Sequence, residues 1–175
     1  MALLAEEIVE EWLNRKGFFT IRGTKIGVDE IDLLAVKFQK NNIECRHIEV
    51  QASMRPISYI SRLPKKDQIA GVKATSAKHR PDEQLRRGVA EWVEKKFKKP
   101  RKVDLLSKLF PNQWSSELVL NNVRSEREIG FIEDLGITVH KLPDVITDMR
   151  SSDNIIASAS GADFFDLISL GANEV

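Results

Sequence analysis

The chain has 175 residues, of which 42% are hydrophobic and 30% charged, as is typical of one globular domain. Its formal net charge of +1 gives no overall argument for binding nucleic acid, so any basic surface must be local. The single cysteine, Cys45, excludes an internal disulfide framework and a cysteine-rich zinc site. The N-terminal stretch lacks the pattern of a signal peptide, and no window approaches the roughly 20 apolar residues of a membrane span, so a cytoplasmic location is expected.

The first third of the chain predicts a helix followed by three strands. Apolar residues recur at helical spacing from Leu3 to Lys16, and Gly17 is suited to end that helix. Strands are predicted at 18–22, 30–38 and 43–53, with the last two joined as a hairpin by the polar turn 39–42. The stretch 22–30 contains two glycines and is predicted to be a loop or turn.

The middle third predicts helices, and the last third returns to alternating strands and helices. Helices are expected at 81–97 and, more briefly, at 102–111, where prolines mark the boundaries. Strands at 116–123 and 137–142 flank a helix at 125–136, with Ser125 as its N-cap, and a final helix is expected at 161–170. A strand–helix–strand unit implies parallel pairing. The fold class is therefore α/β with a mixed sheet, as one domain with a core at 1–53 and 116–175 and a helical insertion at about 54–115.

Two acidic residues on neighbouring predicted strands are candidates for a metal site. Asp32 interrupts an otherwise apolar strand, and Glu49 and Gln51 share one face of the next strand. Adjacent antiparallel strands would bring Asp32 and Glu49 close together, where a divalent cation would relieve their repulsion. Mg²⁺ prefers oxygen ligands, and the carbonyl of Val50 could supply a further one.

Other interpretations of these residues stay open at this point. Asp32 could instead cap a turn or pair with Arg22 or Lys25, because acids in strands form salt bridges more often than they bind metal. Gln51 could be a plain polar residue on a solvated face.

The quoted segments "AEEIVEEWLNRKGFFTIR", "EIDLLAV" and "HIEVQAS" together resemble the core of the PD-(D/E)xK, or restriction-endonuclease-like, nuclease superfamily. They are most similar to the archaeal Holliday junction resolvases and their RecB-like relatives. By this resemblance, which covers about residues 1–53, the catalytic residues are Glu6, Asp32, Glu49 and Gln51, and the metal ligands are Asp32, Glu49, Val50 and Glu6.

The resemblance implies a three-layer α/β core and Mg²⁺-dependent hydrolysis of DNA phosphodiester bonds, with Mn²⁺ able to substitute. A homodimer is consistent with it. Most members of the superfamily have Lys where this chain has Gln51, and a nearby cation such as Lys25 or Lys37 is a candidate replacement. Glu6 lies at the border of the apolar helix face, about 20° from Leu13 on a helical wheel. Glu10, one helical turn further on, is its rival.

A nuclease also needs cations that contact phosphate, because these supply most of its non-specific affinity for DNA. The candidates lie mostly in the middle third and are Arg55, Arg62, Lys65, Lys66, Lys78 and Arg80. Tyr59 could stack on a base or a sugar. The basic run 95–102 is another candidate, although a solubilising surface is the favoured interpretation of that run.

Two further classes of function remain open. A catalytically inactive relative that binds DNA or a protein is favoured by the missing Lys at position 51. A small-molecule or transport-related α/β domain with structural acids is the other.

Overall fold

The computed structural model describes residues 2–68, 72–111, 113–150 and 155–156. Helix α1, Ala2–Arg15, begins the chain and presents an apolar face to the sheet. Gly17 follows with a φ of +84°, a left-handed conformation that suits glycine at the end of a helix. The predicted first helix and its glycine stop are confirmed.

Three antiparallel strands follow: β1, Phe19–Ile26; β2, Asp29–Gln39; and β3, Asn42–Ile57. The prediction of a loop at 22–30 was wrong, because β1 and β2 stay paired down to Ile26 and Asp29. Only Gly27 and Val28 form the turn, and Gly27 takes the positive φ of +63° that this tight reversal requires. The polar turn predicted at 39–42 is confirmed, since Gln39 pairs with Asn42.

The last third of the described chain forms the predicted parallel unit. Strand β4, Trp114–Val123, pairs in parallel with β3 on one side and with β5, Thr138–Lys141, on the other. The sheet order is therefore β1-β2-β3-β4-β5, with antiparallel and parallel pairing in one sheet. The helix between β4 and β5, which is α4 at Glu126–Glu133, begins at the predicted N-cap Ser125, whose side chain accepts from the backbone N–H of Glu128.

The middle third contributes two helices that pack on the sheet. These are α2, Asp82–Phe97, and α3, Pro100–Leu109, preceded by a short 3₁₀ turn at Lys65–Asp67. A sixth described helical element, α5 at Leu142–Asp148, follows β5 directly and was not predicted. The helix predicted at 161–170 lies outside the described residues.

Helices cover both faces of the sheet, so the fold is a three-layer α/β core, as predicted. On one face, α1 and α5 pack against alternate residues of the central strands, including Leu33, Ile48 and Val119. On the other face, α2 and α4 pack against Leu118 and Leu120. Within the described ranges, no helix is both long and apolar enough to span a bilayer.

A buried carboxylate joins α4 to the segment that precedes α2. Glu128 is fully buried and accepts from the backbone N–H groups of Ile60 and Ser61, at 2.6 and 2.8 Å, and from the Ser61 hydroxyl. Three charge-assisted hydrogen bonds compensate for burying this acid. They fix the chain at 60–61 against the end of the sheet.

Candidate active site

The predicted acids lie where β2 and β3 separate. Backbone pairing between the two strands runs to Leu33 and Ile48, and Asp32 and Glu49 are the next residue on each strand. At this point a side chain takes over from the backbone as hydrogen-bond partner, because Asp32 Oδ2 accepts from the backbone N–H of Val50 at 2.8 Å. Side chains alternate along a strand, so Asp32 and Glu49 are directed to the face that α2 and α3 cover.

Glu49 is 1% exposed and is held by three side chains. The Lys96 ammonium donates to Oε2 at 2.6 Å, while the Lys102 ammonium donates to Oε1 at 2.7 Å. His47 lies two residues earlier on β3, and its Nε2 is 3.2 Å from Oε1. Burial alone would raise the pKa of Glu49, but the hydrogen bond from His47 and the two ammonium groups outweigh it and hold that pKa at about 2. Glu49 is therefore a carboxylate at neutral pH.

His47 is a neutral imidazole with a defined tautomer. Burial lowers the pKa of His47, and this effect outweighs the attraction of Glu49. Because an ionised carboxylate only accepts hydrogen bonds, the Nε2 facing Glu49 carries the proton. The buried Nδ1 has no hydrogen-bond partner in the described part of the chain.

The two lysines beside Glu49 differ in exposure. The Lys102 side chain is 2% exposed and also donates to the Lys96 carbonyl at 2.8 Å, which ties the start of α3 to the end of α2. The Lys96 side chain is 31% exposed and extends along the edge of a cleft. Burial lowers the pKa of Lys96, but the carboxylates of Glu49, Asp32 and Glu30 more than compensate and raise it above its ordinary value.

Asp32 is an acid that holds its proton unusually strongly. Burial, and then the charge of Glu49, raise the pKa of Asp32 to about 6, although the Val50 N–H and Lys96 act in the opposite direction. Asp32 and Glu49 lie opposite each other on the two strands, since they directly follow the last backbone pair and Asp32 bonds the N–H of the residue after Glu49. The structure thus brings together the two strand acids that the sequence singles out.

Glu6 lies at the edge of the same group. It is half-buried in α1. Burial raises its pKa; the charge of Arg22 opposes this effect, and the charges of Glu30 and Glu49 add to it. Its rival Glu10 is used elsewhere, since it accepts from the Thr20 hydroxyl at 3.1 Å and forms an ion pair with Arg22. Among the residues that the structure describes, no group of three or more His, Cys, Asp and Glu side chains is placed to hold a metal ion.

Gln51 reaches a cleft of about 580 Å³ between α2 and the chain at 60–68. Two of the predicted phosphate-contacting residues, Arg62 and Lys65, line this cleft together with Lys95 and Lys96. Gln51 therefore lies between the buried acids on one side and a cation-rich cavity on the other.

The remaining predicted phosphate contacts lie elsewhere. Arg55, Lys66 and Lys78 are exposed and do not line the cleft. Arg80 is 2% exposed, donates to the carbonyls of Ser61 and Ser76, and stacks 4.1 Å above the Tyr59 ring. The Arg80 side chain is thus a structural brace with no access to a phosphate at the surface, and its packing also occupies Tyr59.

The sequence analysis missed Lys96 and Lys102. Both belong to the basic run 95–102, for which a solubilising surface was favoured, yet two of its lysines are directed at Glu49. A signal was present: Lys96 continues the helical spacing of the buried residues Val89 and Val93, and Lys102 lies one turn before the buried Leu106. The proposed replacements Lys25 and Lys37 are not among the partners of Glu49; Lys37 lies over the Phe18 ring.

Comparisons with known proteins add little to this geometry. No family model and no curated protein matches the sequence. A search of solved structures finds a protein of unknown function, AF1548, known from a crystal structure, with 14% identity and a TM-score of 0.43. That match covers 96% of this chain and 78% of AF1548.

Proposed function

We propose that this protein is a Mg²⁺-dependent nuclease that hydrolyses phosphodiester bonds in DNA. The observation that carries the proposal is that Asp32 and Glu49 lie opposite each other where β2 and β3 separate, next to a cation-rich cleft. Holding two carboxyl groups close together in a buried place costs free energy, and a divalent cation offsets that cost. The resemblance of residues 1–53 to the PD-(D/E)xK nucleases supports the same conclusion.

The residues at this point of the sheet fit a hard divalent cation. Carboxylate oxygens of Asp32 and Glu49 and the backbone carbonyl of Val50 are the ligand types that Mg²⁺ prefers. The ammonium of Lys96 already occupies a cation position, 2.6 Å from Glu49, and its partial exposure leaves it room to withdraw into the cleft. Glu6 would be an outer ligand, since it lies within the electrostatic reach of both Glu49 and Asp32.

Each side chain has a distinct part in this proposal. A bound Mg²⁺, or Mn²⁺ in its place, would lower the pKa of a bound water and neutralise charge on the scissile phosphate. Gln51 orients that water by hydrogen bonding, but its neutral amide cannot stabilise negative charge as an ammonium does. Lys96 supplies the missing charge from α2, so the cation that most relatives carry at position 51 comes here from a different element.

Nicking of supercoiled plasmid tests the proposal. We expect nicking with Mg²⁺ or Mn²⁺ but not with EDTA, and we expect Asp32→Asn and Glu49→Gln each to slow it at least about a hundredfold. Asp104→Asn, which changes an exposed acid on α3, is the matched control and should nick at the wild-type rate. Full activity in Asp32→Asn would contradict the proposal.

A second candidate function is a catalytically inactive module that binds DNA or a protein. It is favoured by the fact that both oxygens of Glu49 already have ammonium partners, and by the lack of a three-ligand group within the described ranges. A thermal-shift titration separates the two candidates, because a metal that binds only the folded state raises its melting temperature. No shift with Mg²⁺ or Mn²⁺, together with DNA binding and no nicking, would favour the binding module. The homodimer stays a prediction, which sedimentation tests.

A further inference from the structure

The cleft next to Gln51 has a lining that suits part of a nucleic-acid strand. Four cations, Arg62, Lys65, Lys95 and Lys96, line it with the Trp92 ring, against a single carboxylate, Glu91. Its volume of about 580 Å³ lies within the range of cavities that hold small ligands. The excess of positive charge favours an anionic ligand, and the aromatic ring favours one with a flat face.

The walls of the cleft are fixed by the fold. One wall is the face of α2 that carries Trp92 and Lys96, and the other is the chain at 60–68. The two walls meet closely at Gly88, where an added Cβ would come within 2.9 Å of the Arg62 carbonyl. The second wall is held in turn by the buried Glu128 and Arg80, which bond the backbone at 60–61.

Trp92 is half-buried and is positioned by another aromatic side chain. Its ring packs edge-on against Phe97, with centroids 5.9 Å apart, and Phe97 packs against His47. Contact with Phe97 thus holds the Trp92 ring in place, while Trp92 also lines the cleft. A fixed aromatic surface beside several cations is the arrangement by which proteins bind single-stranded nucleic acid.

We propose that this cleft binds an unpaired nucleotide, so that the DNA the protein recognises carries a single-stranded segment such as an overhang, flap or gap. A base inside a continuous duplex is stacked on both sides and cannot offer its face to Trp92, whereas an unpaired base can. Lys96 lines the cleft and also donates to Glu49, so a phosphate beside the bound base lies next to Asp32 and Glu49. The inference rests on the proposed function for the chemistry that follows, but not for the binding itself.

Binding is measured in EDTA, so that no cleavage occurs, by fluorescence anisotropy of labelled duplexes that are identical except for a blunt end or a single-stranded overhang. We expect the overhang to bind roughly tenfold more tightly than the blunt duplex. Trp92→Ala should remove this preference, and Trp92→Phe should keep part of it, because a smaller ring still stacks. Circular dichroism shows that each variant is folded.

Charge variants test the same cleft independently. Lys65→Ala should weaken binding of the overhang duplex and reduce the slope of log K against log salt concentration by about one. Lys108→Ala, an exposed lysine on α3 that does not line the cleft, is the matched control and should leave both unchanged.

Equal affinity for the two duplexes, or an undiminished preference in folded Trp92→Ala, would overturn the inference. Deoxyadenosine monophosphate is the competitor in a further arm, and displacement of the overhang at equimolar concentration would overturn it too, by indicating a pocket for free nucleotides. If the wild-type protein prefers the overhang but, with Mg²⁺ or Mn²⁺, cleaves neither plasmid nor the overhang duplex, the proposed nuclease function fails and this inference stands. If the protein nicks plasmid but shows no preference for the overhang, the proposed nuclease function stands and this inference fails.

Discussion

Glu49 depends on residues that are distant in the chain, and this makes its partner Lys102 a sensitive position. We expect Lys102→Met to lower the free energy of unfolding by roughly 3 kcal/mol or more, because it leaves a buried carboxylate without one of its ammonium partners. Adding Glu49→Gln should recover part of that loss. Urea unfolding of the single and double variants measures the coupling, and Lys108→Met, at an exposed site, should change stability by no more than about 0.5 kcal/mol. A similarly small effect of Lys102→Met would contradict the burial of this pair.

The raised pKa of Asp32 predicts how stability changes with pH. An acid whose pKa is raised on folding, here from 3.8 to about 6, stabilises the folded protein at low pH and loses that contribution as pH rises through 6. In EDTA, the free energy of unfolding of the wild-type protein should therefore fall by about 1 kcal/mol relative to that of Asp32→Asn between pH 5 and pH 7.5. Urea unfolding at the two pH values measures this difference. The stability of Asp104→Asn, which changes an exposed acid, should differ from that of wild type by the same amount at both pH values. A gain for wild type relative to Asp32→Asn on going to pH 7.5 would contradict the prediction.

Strand alternation was enough to single out Asp32 and Glu49 from the sequence, because both stand out against apolar neighbours on the faces that a sheet buries. The cations around them could not be predicted in the same way. Lys96 reaches Glu49 only because the end of α2 packs over this part of the sheet. The contact joins residues that are 47 positions apart in the chain. Local periodicity cannot predict contacts between residues so far apart in the chain.

Two glycines within helices make a matched pair for testing how α2 sits on its neighbours. Gly130 lies in α4 with nothing within 4 Å of an added Cβ, so Gly130→Ala should stabilise the protein by up to about 1 kcal/mol through helix propensity. At Gly88 the same methyl group would come within 2.9 Å of the Arg62 carbonyl and 3.1 Å of the Ser61 hydroxyl. Gly88→Ala should therefore destabilise by roughly 1–2 kcal/mol despite the gain in propensity. Thermal unfolding compares the two, and a stabilised Gly88→Ala would mean that α2 lies further from this segment.

The error at 22–30 shows where local signals for secondary elements fail. Two glycines predicted a loop, but Gly23 lies inside β1 and only Gly27 forms the turn. β1 is at the edge of the sheet, where a glycine disturbs packing on one side only, so pairing with β2 overrides the local preference. By contrast, the boundaries of α1 and α4 were predictable, because Gly17 and Ser125 satisfy helix ends by local geometry.

For the whole molecule, the α/β class and the mixed sheet followed from the order of strand and helix patterns. The role of the middle third did not. Residues 54–115 contain none of the motif residues, yet their helices α2 and α3 pack on one face of the sheet. Val89, Val93 and Phe97 of α2 pack with the strand residues Leu118 and Leu120. A segment that contains no motif residue can still contribute to the hydrophobic core, because burial depends on the apolar face of a helix and not on its position relative to a motif.

The hydrogen bonds that Glu128 accepts also have a consequence for biosynthesis. They join Ile60 and Ser61 to a side chain 67–68 positions later in the chain. At ribosomal rates of about 5–20 residues per second, the nascent chain carries this segment for roughly 3–14 seconds before its carboxylate partner has been synthesised. During that interval the amide groups at 60–61 are left to water or to a chaperone, and the mouth of the cleft takes shape only as the last third of the protein leaves the exit tunnel.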